Sequence, residues 1–230
     1  MKIIKVDRFV TKSFHAAEAI KTLRTNILFN GKSIKSVALT SYSGSEGKST
    51  ISFQLAASMA QNGKRVLLLD ADIRKSVLVN RLKVGEQVKG LSHYLSGMAS
   101  VEELLCETDV KGLFIIFAGP RVPNAAELLG GRNFGELITA LKGVFDYTIV
   151  DAPPLGQVID CAVLAPAIDG VLMVVDATNN SYKLERRMKM QLEKAGGKIL
   201  GVVLNRVNFK EKRGYYGKKY GYGYGYGSEK

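Results

Sequence analysis

Six short apolar runs recur along the chain, nearly continuous and rich in β-branched residues. They are "SVALTSY" (36–42), "VLLLD" (66–70), "LFIIFAG" (113–119), "YTIVD" (147–151), "VLMVVDA" (171–177) and "ILGVVLN" (199–205). A strand with one face in water alternates apolar and polar residues. An unbroken run therefore predicts a strand covered on both faces, as in a parallel sheet. Helical patterns fill the intervals over 48–62, 124–144, 157–167 and 182–195, the first stopped by Gly63 in "NGK". This alternation predicts a doubly wound α/β fold with a mainly parallel sheet. A further amphipathic helix, "AAEAIKTLRTNILF" (16–29), stands ahead of that core. The one break in composition falls near Lys210, which divides a domain over 1–209 from a tail over 210–230.

A chain of 230 residues can bury one sizeable core. No stretch approaches the roughly 18–20 consecutive apolar residues that span a bilayer, and "MKIIKVDRFVTKSFH" has no secretion-signal pattern. Cys106 and Cys161 are far apart and read as reduced thiols. The two histidines, His15 and His93, lie in no metal-ligand cluster, which argues against a zinc site or a histidine-based triad.

The net charge of +12 is unevenly placed. Residues 1–36 carry a balance of +6 and residues 206–230 one of +5, leaving +1 for everything between. Basic ends suit an anionic partner such as the inner face of a membrane. No aromatic-basic binding motif accompanies them, so nucleic acid is not expected. Lys183, Arg186, Arg187 and Lys189 form a further basic cluster, read first as a solvated helix face.

Three loops follow three of the strands. "TSYSGSEGKST" (40–50) ends the first strand and opens the first helix, where unpaired backbone N–H groups and the helix dipole favour a phosphate. Gly44, Ser45, Glu46, Gly47, Lys48, Ser49 and Thr50 make up this candidate loop. Gly44 and Gly47 allow close backbone approach, Lys48 can reach β- and γ-phosphates, and Ser49 can hold Mg²⁺. The strict pattern G-x-x-x-x-G-K-[ST] asks for glycine where Tyr42 stands. "VLLLDADIRK" (66–75) places Asp70 and Asp72 at a strand end, suited to acting on Mg²⁺ through water and to accepting a proton. Arg74 follows, able to neutralise phosphate or to hold the carboxylates. "YTIVDAPP" (147–154) repeats the strand-then-aspartate form with Asp151, and Pro153 and Pro154 stiffen the turn beyond it.

Together these motifs resemble those of the bacterial tyrosine kinases of capsule and exopolysaccharide systems, a family whose fold resembles that of the MinD/ParA-like P-loop ATPases. The family's D-x-D-x-R motif stands here as "LLLDADIR" and its D-x-P-P motif as "TIVDAPP". The resemblance covers nearly the whole chain and is to the separate kinase subunit type. It implies a P-loop NTPase-type sheet, ATP and Mg²⁺ as nucleotide and metal, and Lys48, Asp70, Asp72 and Asp151 as catalytic residues. Ser49, Asp70 and Asp151 are implied to serve the metal, with Asp70 or Asp72 as the base. Asn205, in "VVLNR", resembles the family's adenine-contacting asparagine. The family's C-terminal tyrosine cluster corresponds to "YYGKKYGYGYGYGSEK", so Tyr215, Tyr216, Tyr220, Tyr222, Tyr224 and Tyr226 are implied phosphorylation sites.

The family's E-x-x-R-x-x-R ring-assembly signature appears as Glu18, Lys21 and Arg24, with lysine in the middle place. Lysine keeps the charge and loses the bidentate fork. The resemblance further implies a homo-oligomeric ring, a membrane-spanning activator or polysaccharide co-polymerase subunit as partner, a cognate tyrosine phosphatase, and a cytoplasmic place at the inner face of the membrane. The implied activity is ATP-dependent tyrosine autophosphorylation governing polysaccharide synthesis and export. The alternative is a MinD/ParA-like positioning ATPase. Those proteins usually carry a second lysine early in the loop, where this chain has Ser43, and lack a tyrosine tail.

Overall fold

The computed structural model describes residues 2–84, 88–178 and 181–207. The tyrosine cluster and the boundary expected at 209/210 lie outside the described residues.

The six apolar runs all form strands: β2 (Ser36–Ser41), β3 (Val66–Asp70), β5 (Leu113–Ile116), β6 (Tyr147–Asp151), β7 (Gly170–Asp176) and β8 (Ile199–Asn205). Two three-residue strands join them, β1 (Lys2–Ile4) and β4 (Cys106–Thr108). The single sheet has the order β1-β4-β5-β3-β6-β2-β7-β8. Every pairing is parallel except β4 with β5. Strands β2, β3 and β7 are buried along their whole length, as unbroken apolarity requires of strands covered on both faces.

One face is covered by α1 (Phe14–Phe29), α2 (Lys48–Gln61) and α3 (Leu78–Arg81) through Ile27, Phe53, Leu55, Met59 and Leu78. The other is covered by α4 (Leu91–Leu95), α5 (Val101–Leu104), α6 (Ala125–Gly130), α7 (Arg132–Val144), α8 (Asp160–Leu164) and α9 (Tyr182–Lys194). The continuous helix expected over 124–144 is two helices. Gly131 takes extended backbone (φ −76°, ψ 164°) and separates them, at a residue with little helical preference of its own. The helix expected over 157–167 is α8 followed by one 3₁₀ turn, Ala165–Ala167. Among the described residues, no helix is long and apolar enough to cross a membrane.

Helix α1 packs on α2. The Arg24 guanidinium donates from Nη1 to the Ser58 carbonyl (2.9 Å) and hydroxyl (3.1 Å), which ties the two helices together. Glu18 and Lys21 pair with each other at 2.7 Å on the exposed side of the same helix. The residues of the ring signature are therefore divided: two face outward and one is used within the chain.

Candidate active site

Strands β2, β3 and β6 are adjacent and parallel, so their carboxyl ends bring all three motif loops to one edge of the sheet. Leu39 pairs with Asp151 across β2 and β6, and Asp70 with Asp151 across β3 and β6. The D-x-P-P turn is laced to the phosphate loop. Thr40 Oγ1 donates to the Pro153 carbonyl at 2.8 Å, and the backbone N–H groups of Leu155 and Gly156 donate to Ser41 and Tyr42. A Cβ on Gly156 would lie 2.4 Å from the Tyr42 carbonyl oxygen and 2.8 Å from its ring. Tyr42, the departure from the strict motif, is thus a packing residue against that turn.

The loop alternates backbone hands: Ser45 has φ 64° and Gly47, which caps α2, has φ 93°. Successive N–H groups in such a turn make a concave anion-binding nest. Asn205, at the end of β8, donates from Nδ2 to the Glu46 carbonyl at 2.8 Å, and Arg206 Nη2 donates to the Ser45 carbonyl at 2.7 Å. The Glu46 carboxyl turns under the loop and is 8% exposed. Burial raises its pKa, opposed by the backbone of Ser43 and Tyr42. A Cβ on Gly47 would stand 2.2 Å from the Asn205 amide nitrogen. Gly47→Ala is therefore expected to lower stability by about 1–2 kcal/mol through its left-handed backbone and to weaken ATP binding by pushing Asn205 off the loop. Thermal melting and nucleotide titration check the two effects.

Behind the loop lies a buried acidic floor. Asp70 and Asp151 are 0% and 1% exposed. Asp70 accepts hydrogen bonds from the Ser76 hydroxyl and from the Asp72 N–H (3.2 Å). Burial, then the neighbouring Asp151, raise its pKa well above the usual carboxylate range. Burial also pushes Asp151 up to about 6, with Lys48 and the Ser49 hydroxyl pulling the other way. Asp72 differs, since its carboxylate lines the open cleft and accepts the Lys75 N–H at 2.9 Å.

The cleft has a volume of about 870 Å³, within the range of ligand pockets. Gly44, Ser45, Gly47, Lys48, Ser49, Thr50, Asp72 and Arg74 line it, whereas the Glu46, Asp70, Asp151 and Asn205 side chains do not. Arg74 is held by Asp160 in a bidentate pair, Nε to Oδ2 at 2.6 Å and Nη2 to Oδ1 at 3.0 Å. Of the two roles expected of Arg74, it takes that of holding a carboxylate, although that carboxylate is neither Asp70 nor Asp72. Asp160 was not a sequence candidate, and its position at the start of α8 carries no motif that marks it. Ser76 and Arg206 likewise emerge only from the fold.

These residues fit a nucleotide with Mg²⁺. The nest supplies N–H donors, Lys48 a buried cation, and Ser49 a hydroxyl on the cleft wall. Two neighbouring buried carboxylates, both raised by burial and Asp70 further by Asp151, are the environment that a divalent cation nearby would relieve.

Comparison with known proteins agrees with this geometry. A family profile described as an AAA domain matches residues 34–199. The tyrosine-protein kinase CpsD of Streptococcus agalactiae is 42% identical over 203 residues, covering 88% of this chain and 89% of the relative. The chain belongs to the bacterial tyrosine-protein kinase family. Tyrosine-protein kinase YwqD of Bacillus subtilis is 34% identical over 207 residues, covering 88% of this kinase and 87% of the relative. The crystal structure of the VpsO kinase domain superposes with a TM-score of 0.79 at 33% identity, covering 84% of this kinase and 95% of that domain. The matched span includes all three motif loops, so Tyr42, Asp70, Asp72 and Asp151 sit within a fold shared by the family.

Proposed function

We propose that this kinase transfers the γ-phosphoryl group of ATP to its own C-terminal tyrosines, Tyr215, Tyr216, Tyr220, Tyr222, Tyr224 and Tyr226. The observation that carries the reading is the meeting of Lys48, Ser49 and Asp72 around one cleft above Asp70 and Asp151. In the transfer, a tyrosine Oη–phosphorus bond forms as the bond from that phosphorus to the β–γ bridging oxygen breaks, releasing ADP. A phenol with a pKa near 10 is a poor nucleophile at neutral pH. Asp72 takes its proton, because Asp72 opens on the cleft while Asp70 is sealed against Ser76. Lys48 and the loop N–H groups orient the phosphates. Ser49 would hold Mg²⁺ directly, with Asp70 and Asp151 acting through its waters. The bound metal supplies neutralisation of charge on the phosphate oxygens.

Strand β8, which precedes the tail in sequence, lies at the edge of the sheet, and transfer runs between neighbouring subunits of a ring. Glu18 and Lys21, paired with each other on the exposed side of their helix, meet a neighbour by exchanging that pairing, while Arg24 ties the helix to Ser58. A membrane-spanning activator brings the kinase to the inner face of the membrane, and a phosphatase resets the tail. Six phosphates at about −1.5 to −2 each reverse the tail's charge and loosen the ring, which links phosphorylation to polysaccharide synthesis and export. No observation favours the positioning-ATPase alternative.

Mixing two variants tests transfer between subunits. One carries Lys48→Met with an intact tail; the other keeps Lys48 and has phenylalanine at all six tail tyrosines. Phosphate on the Lys48→Met chain is expected. Its absence, with the wild-type kinase active under the same conditions, contradicts transfer between subunits.

A further inference from the structure

The cleft is more cationic than a triphosphate requires. Lys48, Arg74, Lys75, Arg81, Arg121 and Arg206 line it against one carboxylate, Asp72. Three of these are committed: Arg74 to Asp160, Arg206 to Asp176, and Lys48 to the field of Asp151. Lys75, Arg81 and Arg121 are exposed and form no ion pair with a described residue. They come from the segment after β3, from α3 and from the segment after β5, which gathers them on one side of the cleft. Apolar surface lies in the same cleft: Val77, 43% exposed, with Pro153, Pro154 and Val158. Arg81 donates from Nη1 to the Thr50 hydroxyl, which leaves its charge without a carboxylate partner among the described residues. Apolar surface beside guanidinium groups free of ion pairs suits an aromatic ring carrying a phosphate.

We propose that Lys75, Arg81 and Arg121 form a subsite for phosphotyrosine already present in the incoming tail, so that one transfer primes the next. The inference rests on the kinase reading above and adds a substrate preference to it, with no new chemical step. The unmodified segment 207–230 carries six basic and two acidic residues, a balance of +4, and is repelled by the cationic wall. One phosphate of about −1.5 to −2 reverses that interaction locally. Tyr220, Tyr222, Tyr224 and Tyr226 recur at every second residue. In extended chain such neighbours lie about 7 Å apart on one face. The first phosphorylation is accordingly the slow one, and later ones follow faster on the same tail.

Two synthetic peptides of residues 215–230 test this, one unmodified and one with phosphotyrosine at position 224. The kinase used is the full chain with its six tail tyrosines replaced by phenylalanine, with the activator's cytoplasmic segment present. Fluorescence polarisation without ATP is expected to show the phosphorylated peptide binding about tenfold tighter, and its further phosphorylation to show a correspondingly lower KM. The advantage is expected to shrink with added salt and to vanish in the double variant Lys75→Gln, Arg121→Gln. Equal binding of the two peptides, or an advantage untouched by the double variant, overturns the inference. Equal binding with both peptides phosphorylated leaves the kinase reading standing. If neither peptide is phosphorylated the kinase reading fails, and the binding comparison still decides the subsite.

Discussion

Exchanging Lys48 for methionine is expected to reduce tyrosine phosphorylation by about 10²–10³-fold, the scale on which one preorganised charge-stabilising group acts. Methionine keeps an unbranched stem in a place that is 8% exposed and removes only the charge. Arg74 and Arg206 are engaged with Asp160 and Asp176, and Lys75, Arg81 and Arg121 are exposed on the segments after β3 and β5 instead of standing in the phosphate loop that opens α2. The loss reaches Asp151 as well. Lys48 is the chief influence holding Asp151 down against burial, so without it the carboxyl protonates at higher pH and serves a metal less well. The variant also loses stability more as pH rises, because ionising Asp151 in the folded state then has no buried cation beside it. Phosphate incorporation, with melting curves at pH 5.5 and 7.5, checks both parts. Activity within tenfold of the parent would contradict the role given to Lys48.

Asp70→Asn is expected to separate stability from activity. Asp70 and Asp151 are register partners, both buried, both with pKa values raised above the unfolded value of about 4. A carboxyl raised in this way holds its proton more tightly folded than unfolded. Its contribution is intact below the unfolded pKa and is lost as pH climbs through the folded one. For Asp151 that window runs from about 4 up to about 6, and for Asp70 it extends upward from the same starting point. Asparagine keeps the shape and an acceptor for the Ser76 hydroxyl while removing one charge of the pair. The nucleotide-free variant should therefore melt higher than the parent at pH 8, on the order of 5 °C, and the gain should vanish at pH 4. Its kinase activity should be lost. A variant no more stable at pH 8 than the parent would contradict the acidic floor as described.

Strands β2, β3 and β7 were readable because burial on both faces leaves an unbroken apolar run. The run of β8 was read in the same way, yet β8 is an edge strand with Val202 60% and Leu204 48% exposed, so its apolarity did not signal two covered faces. Strands β1 and β4 were not readable. "KII" and "CET" are too short to show a period, and only pairing at the far edge of the sheet makes them strands. The division of α6 from α7 was marked by Gly130 and Gly131, a signal outweighed by the helical pattern on either side. The site divides in the same manner. Lys48, Ser49, Asp70, Asp72 and Asp151 belong to local motifs, and parallel strand order then brings them together. Asp160, Ser76 and Arg206 act across distances of 86, 6 and 161 residues with Arg74, Asp70 and Ser45. Even the near one, Ser76, has no spacing rule that announces it. Arg74 shows the gap most plainly: its motif is legible, its partner is not.

Phosphotyrosine mapping by mass spectrometry tests the central claim most directly. The full chain is incubated with Mg-ATP and the activator's cytoplasmic segment, beside the Lys48→Met variant. Phosphate on tyrosines among Tyr215–Tyr226 of the parent, absent from the variant, is the predicted result. ATP turnover and activator binding with no phosphate on any tyrosine of the cluster would contradict it.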